Sequence, residues 1–244
     1  MAFGQAAGIS AYLSIKYNLA GREIPVRQIQ EELLPAIGNP NADPAIVLHH
    51  FPDVTPKTEH YSAIQYLASR GLQSNAEKFL PEAPTTRGEL VKWLQILGER
   101  AINSPSNKEN SGLAYMGREL DFSALKEFSQ LSEAEKPITR AEFANILIRV
   151  FPHFSENTNP NETRYSDISD SPNKSAITTL EKQGIDSRIW DGWKAYTKTE
   201  KLIFQPNANI SHADVFGTLY IFQISLGPLF FDHPKDALNG RKIY

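Results

Sequence analysis

Three positions in this chain set a cation, or a group that can become one, at the start of a helix. Arg87 follows Thr86, Arg140 follows Thr139, and His212 follows Ser211. Thr86 and Thr139 are each followed three residues later by a glutamate, Glu89 and Glu142. That pattern is a capping box: the hydroxyl accepts a free N–H of the first turn, and the glutamate reaches back to the cap N–H. Ser211-His212-Ala213-Asp214 is a weakened third copy. A guanidinium beside a helix start can grip a carboxylate with two parallel hydrogen bonds, and the free N–H groups of the helix add to the attraction. The same arginines could equally pair with a local carboxylate such as Asp53, or stand in solvent. His212 in the third place breaks any threefold set of arginines.

Other residue types suggest less. Trp190, Trp193 and Tyr196 lie close together and could offer a stacking surface, or fill a core. His49-His50, Asp53 and His60 invite a metal reading, but adjacent histidines on an extended chain point apart and no second pair has helical spacing, so no metal is expected. Glu31-Glu32, Glu133 and Glu135 read as solvated helix faces. No serine sits in a nucleophile elbow, and no acid–base pair has a reason for a shifted pKa, so no catalytic residue is assigned.

The elements that position these residues repeat. Leu94 and Leu97 follow the first box, Phe143, Ile146, Leu147 and Val150 the second, and Leu219, Tyr220 and Phe222 the third, at helical spacing. Upstream, Phe51-Pro52-Asp53-Val54 leads to Ala63-Ile64, Leu67, Gly71-Leu72, Phe79 and Pro81. Tyr165-Ser166-Asp167-Ile168 leads likewise to Ala176-Ile177, Leu180, Gly184-Ile185, Phe204 and Pro206. Phe51 to Thr86 spans 35 residues and Tyr165 to Ser211 spans 46, so the later copy carries an insertion around 186–196. Asp53 is expected to cap or order the turn before a helix over 61–70. Ser74-Asn75 suits a chain reversal, since asparagine tolerates the left-handed conformation. Residues 101–120 and 153–164 read as loops, and 121–130 as a helix.

At these residues the chain resembles the S-layer homology family, whose repeat reads F-x-D-V, a helix with A-I-x-x-L and a glycine, F-x-P, then T-R-A-E-F. The first copy matches most of that pattern in order, the middle one only from Pro137 onward, and the third carries Ser211-His212-Ala213-Asp214 in place of T-R-A-E. The resemblance implies a non-catalytic module associated with the cell envelope. It implies that Arg87, Arg140 and His212 occupy places where the family's arginine helps recognise acidic cell-wall glycans, in grooves between repeats. The family's tryptophan before the first helix is missing here, the corresponding residues being about Glu59 and Asn173, so Trp190 and Trp193 are the alternative sugar-stacking candidates. The implied partner is an envelope glycan or another protein domain.

A second resemblance covers residues 4–34. Gly4-Gln5-Ala6-Ala7-Gly8, then Ile24-Pro25-Val26 and Gln30-Glu31-Glu32-Leu33-Leu34, look like the last stretch of FAD-dependent oxidoreductases. There the small-residue helix abuts the flavin. It implies that the chain is the C-terminal part of a longer flavoprotein, with Gly4 to Gly8 touching FAD only in that parent. No G-x-G-x-x-G fingerprint follows a predicted strand here, so no cofactor is expected in this chain itself. Without a partner the stretch reads as a close-packed helix docked on its neighbours.

The bulk numbers bound the rest. A net charge of -3, with no basic run, gives no reason to expect nucleic-acid binding. Cysteine is absent, which excludes disulfides and thiolate chemistry. No apolar stretch of about 18 residues predicts a membrane span. No signal peptide is read at Met1-Ala2-Phe3, so export would need a targeting segment elsewhere. The expected architecture is mainly α, with three helical-hairpin repeats in a pseudo-threefold bundle and a small N-terminal helical segment. Its expected parts are 1–44 as flavoprotein segment and linker, 45–100, 101–152 and 153–226 as repeats, and 227–244 as a tail. Each repeat alone exposes an apolar face, so the three must pack together.

Overall fold

The computed structural model describes residues 2–24, 26–33, 47–103, 125, 133–150, 163–182 and 203–226. Its regular elements are helices: α1 (Ala2–Tyr17), α2 (Val26–Leu33), α3 (Tyr61–Ala68), α4 (Arg87–Asn103), α5 (Arg140–Val150), α6 (Lys174–Lys182) and α7 (His212–Leu226). Among the described residues the β pairing is limited to isolated antiparallel bridges, Pro84 with Ser211, Thr86 with Pro137 and Thr139 with Asn209. The mainly α expectation therefore holds. The α4 helix runs on to Asn103, past the loop start expected at 101.

The N-terminal segment has its own small core. Leu13 and Ile24 are buried, with Ile9, Tyr17, Leu19 and Ile29 packed around them. Asn18 ends α1 in the left-handed conformation, at φ 52°. That lets the Leu19 N–H reach back to the Ser14 carbonyl at 3.0 Å and satisfy an end group of the helix.

Helices α3 to α7 share one larger core. Phe51, Tyr66, Phe79, Leu90, Trp93, Ile138, Phe143, Ile177, Phe204, Ile210 and Phe216 belong to one continuous buried cluster. Its aromatic centre lies under α7, where Phe216 meets Phe79 at 4.8 Å and Trp93 at 5.0 Å, both edge-on. Tyr66 of α3 meets Tyr220 of α7 at 4.9 Å.

The helix pairing differs from the hairpins expected within each sequence repeat. Helix α3 packs most closely on α7, and α6 on α5. The α3–α7 pair joins opposite ends of the 61–226 stretch, and α5 and α6, consecutive helices, belong to different expected repeats. Helix α3 is short and buried on nearly every side, from Tyr61 to Ala68, so a single neighbour within its own stretch could not cover it. Several distant elements must surround it, which is why local hairpin pairing loses.

Candidate functional site at the three helix starts

The segments entering α4, α5 and α7 hold one another in a closed ring. The Thr85 N–H donates to the Ile210 carbonyl at 2.9 Å, the Ile210 N–H to the Ile138 carbonyl at 3.1 Å, and the Ile138 N–H to the Thr85 carbonyl at 2.9 Å. Thr85, Ile138 and Ile210 are all fully buried, so none of these amides has water as an alternative partner.

The first-turn N–H groups of each helix are satisfied by a neighbouring segment. In α4 the Arg87 and Gly88 N–H groups donate to Lys136 and Ala134 carbonyls, at 3.0 and 2.9 Å. In α5 the Arg140 and Ala141 N–H groups donate to Ala208 and Pro206, at 2.8 and 3.1 Å. In α7 the His212 and Ala213 N–H groups donate to Ala83 and Pro81, both at 3.0 Å. The third N–H of each helix goes to the cap hydroxyl: Glu89 to Thr86 at 3.3 Å, Glu142 to Thr139 at 3.2 Å, Asp214 to Ser211 at 3.1 Å. These N–H groups are thus occupied from within the chain, and anion recognition at these sites falls to the side chains.

Both full capping boxes form as read. The Thr86 N–H donates to Glu89 and the Thr139 N–H to Glu142, each at 2.9 Å. The shorter Asp214 turns instead toward His60, whose Nε2 lies 3.5 Å from its Oδ1.

The three cations meet three different fates. The Arg87 guanidinium lies between Glu142, 2.7 Å away on α5, and Glu133 in the turn before it. The alternatives open from the sequence were a local carboxylate such as Asp53, or solvent; Arg87 is paired, and its partners come from the second cap region. Glu133 is correspondingly an ion-pair partner rather than a purely solvated face. Burial works against charge on Glu142, yet the Thr139 N–H, the Arg87 guanidinium and the Thr139 hydroxyl outweigh it and hold the carboxyl below its ordinary value.

His212 is only 3% exposed, which removes it from the set of glycan-contacting candidates. Its Nδ1 lies 3.0 Å from the Phe79 carbonyl and its Nε2 3.3 Å from Glu89 Oε2. The ring stands edge-on to Trp93 at 5.4 Å. Burial disfavours charge on the imidazole, but the Glu89 and Phe79 acceptors prevail and raise its pKa above the ordinary 6.5. Glu89 responds in the opposite sense: against its burial, His212 and Thr86 bring its pKa down to about 2.

Arg140 is half-buried and donates from one terminal nitrogen to the Phe204 carbonyl at 3.1 Å. Among the described residues it forms no ion pair, and its Nε is buried without an acceptor. The position matching Glu89 and Glu142 is Asp214, which is turned toward His60.

Two aspartates act at a distance that sequence spacing did not reveal. Asp53 accepts the Phe79 and Leu80 N–H groups, at 3.0 and 2.7 Å. Asp167 accepts the Phe204 and Gln205 N–H groups, at 2.9 and 2.7 Å. Leu80 and Gln205 both have positive φ, 56° and 59°, so each carboxylate braces a strained turn. Asp53 therefore does not cap α3, which starts behind His60 in the left-handed conformation with no side-chain cap. The reversal after α3 uses Gly71 and Gln73 at positive φ rather than Asn75. Gln65, 1% exposed, accepts the Leu48 and His49 N–H groups and Glu181 the Arg164 N–H; neither role has a local sequence signal.

The remaining candidates are dispersed. His49 stacks near Phe51 at 4.5 Å, while the His60 ring lies against Gly217 of α7. Gly4, Gln5, Ala7 and Gly8 are exposed on α1 and Ala6 is partly so. A Cβ added at Gly4 or Gly8 would meet nothing within 4 Å, so the close packing expected of this stretch is not found among the described residues. Trp190, Trp193 and Tyr196, and all but Leu125 of the helix expected at 121–130, lie outside the described residues.

The geometry defines a class: a helical module whose capped helix starts are knit backbone to backbone, with one basic side chain at each start. Within it, residues 50–91 match the family model described as the S-layer homology domain. That span carries Phe51, Asp53, α3, the braced Phe79–Pro81 turn and the first capping box. The match does not extend to residues 4–34, where the flavoprotein resemblance rests on the residues alone. A search of curated proteins gives no match to the chain.

Proposed function

We propose that this chain is a three-repeat S-layer-homology-like module, arranged about a pseudo-threefold axis, that attaches its protein to an acidic glycan of the cell envelope. The support for the arrangement is the ring through Thr85, Ile138 and Ile210, together with the matching donation of first-turn N–H groups to the next segment. The family match at 50–91 supports the envelope role.

One observation carries the ligand reading. Of the three basic side chains, Arg87 is engaged by two glutamates and His212 is buried, while Arg140 has no carboxylate among the described residues. A guanidinium held by a carbonyl, with donors to spare, suits a carboxylate-bearing sugar. The module is thus a one-site binder centred on Arg140. The test is binding to purified acidic cell-wall polysaccharide. Arg140→Ala should weaken it about 10- to 100-fold, the worth of a hydrogen bond to a charged group of about 1.5–3 kcal/mol. Wild-type binding by a folded Arg140→Ala protein would refute the site.

A further inference from the structure

Helix α7 is joined to the 47–103 region by two reciprocal histidine–carboxylate contacts. His212 of α7 reaches Glu89 of α4, and His60, at the start of α3, faces Asp214 of α7. Both ring nitrogens of His212 face groups that only accept: a peptide carbonyl and a carboxylate. A neutral imidazole has one N–H, so it would leave a lone pair against one of them; the imidazolium satisfies both. His60 is also buried: its side chain is 8% exposed, and its Nε2 has no hydrogen-bond partner among the described residues. The acids facing that nitrogen are Asp214 at 3.5 Å and Glu59 at 3.9 Å. The only acid facing His212 among the described residues is Glu89.

The other joint differs in kind. Between α4 and α5 the contact is Arg87 with Glu142, and an arginine keeps its charge throughout the biological pH range. We propose that the α7 joint is a pH-operated clasp, closed by protonation of His212 and loosened when it loses its proton, while the Arg87 joint stays closed. The clasp reaches into local structure, because the Glu89 oxygen that faces His212 also takes the Thr86 N–H and hydroxyl of the first capping box. Loss of the proton from His212 therefore leaves that Glu89 oxygen to the cap of α4 while loosening the contact with α7.

The sign follows from the geometry. His212 titrates above its ordinary 6.5, so its contribution is complete below about that pH and is lost as pH rises through the raised value. Glu89, ionised down to about pH 2, remains charged throughout this window. The experiment has two arms on the whole chain. Histidine ring resonances in the wild type, followed by NMR from pH 5 to 9, should show His212 titrating above 6.5, and Glu89→Gln should lower that midpoint. Denaturant midpoints should fall from pH 6 to 9 in the wild type and fall less steeply in His212→Gln. A wild-type His212 that titrates at or below 6.5 overturns the proposal, as do midpoint curves of wild type and His212→Gln that run parallel. If either variant does not fold, the wild-type titration alone decides.

Discussion

Replacing Asp53 or Asp167 by alanine removes a brace that holds two backbone amides at once. Asp53 accepts from Phe79 and Leu80 at 3.0 and 2.7 Å, and Asp167 from Phe204 and Gln205 at 2.9 and 2.7 Å. Each bond to a charged acceptor is worth about 1.5–3 kcal/mol when fully desolvated. Both sites are partly exposed, which places each bond near the lower figure, so each substitution should cost about 2–4 kcal/mol. Part of that is the left-handed residue, Leu80 or Gln205, which loses the anchor that keeps it there. Folding free energies lie near 5–15 kcal/mol, so one change consumes a large share. Asparagine should rescue little, because its amide offers one acceptor and sets an N–H against the second donor. The assay is urea denaturation of the two alanine variants and Asp53→Asn. Burial disfavours the Asp53 carboxylate, but the two amides and Lys78 keep its pKa below the ordinary 3.8. Its contribution is therefore complete above about pH 4 and lost on acidification below that, so the wild-type advantage over Asp53→Ala should shrink there. A cost below about 0.5 kcal/mol, within the range of an ordinary surface change, would refute the brace.

Gly217→Ala should destabilise the protein by about 1–3 kcal/mol, the usual cost of overpacking, although alanine is the better helix former. The added Cβ would lie 2.6 Å from His60 Nδ1, and His60→Ala should relieve the cost in the double variant. A thermal melt in which Gly217→Ala is more stable than wild type would contradict that contact. Residues 50–91, excised, should show little helix by circular dichroism, because α3 packs on α7 and the first turn of α4 donates to Ala134 and Lys136.

The chemistry that could be read in the sequence was local chemistry. Thr139 and Glu142 lie three apart, so their box is specified within one turn, and it forms. The apolar spacing of Phe143, Ile146, Leu147 and Val150 likewise predicts the face that is buried. Trp93 was also within reach, since it stands three residues after Leu90 on the same face, and it is 2% exposed. What could not be read depends on distant partners. Asp53 acts 26 residues away, and Arg87 finds Glu133 and Glu142 at 46 and 55 residues. The left-handed His60 is invisible locally because a non-glycine residue takes that conformation only where tertiary packing holds it, here against Gly217. The α3–α7 pairing was out of reach for the same reason: hairpins are the economical local guess, and α3 needs cover from several sides.

Amide hydrogen exchange at Thr85, Ile138 and Ile210 tests the closed ring most directly. If each N–H is held by the next segment, the three should be protected to a similar degree, near the global unfolding limit, and should lose protection together as denaturant is added. Fast exchange at any one of them, with the other two still protected, would mean that the ring is open at that joint.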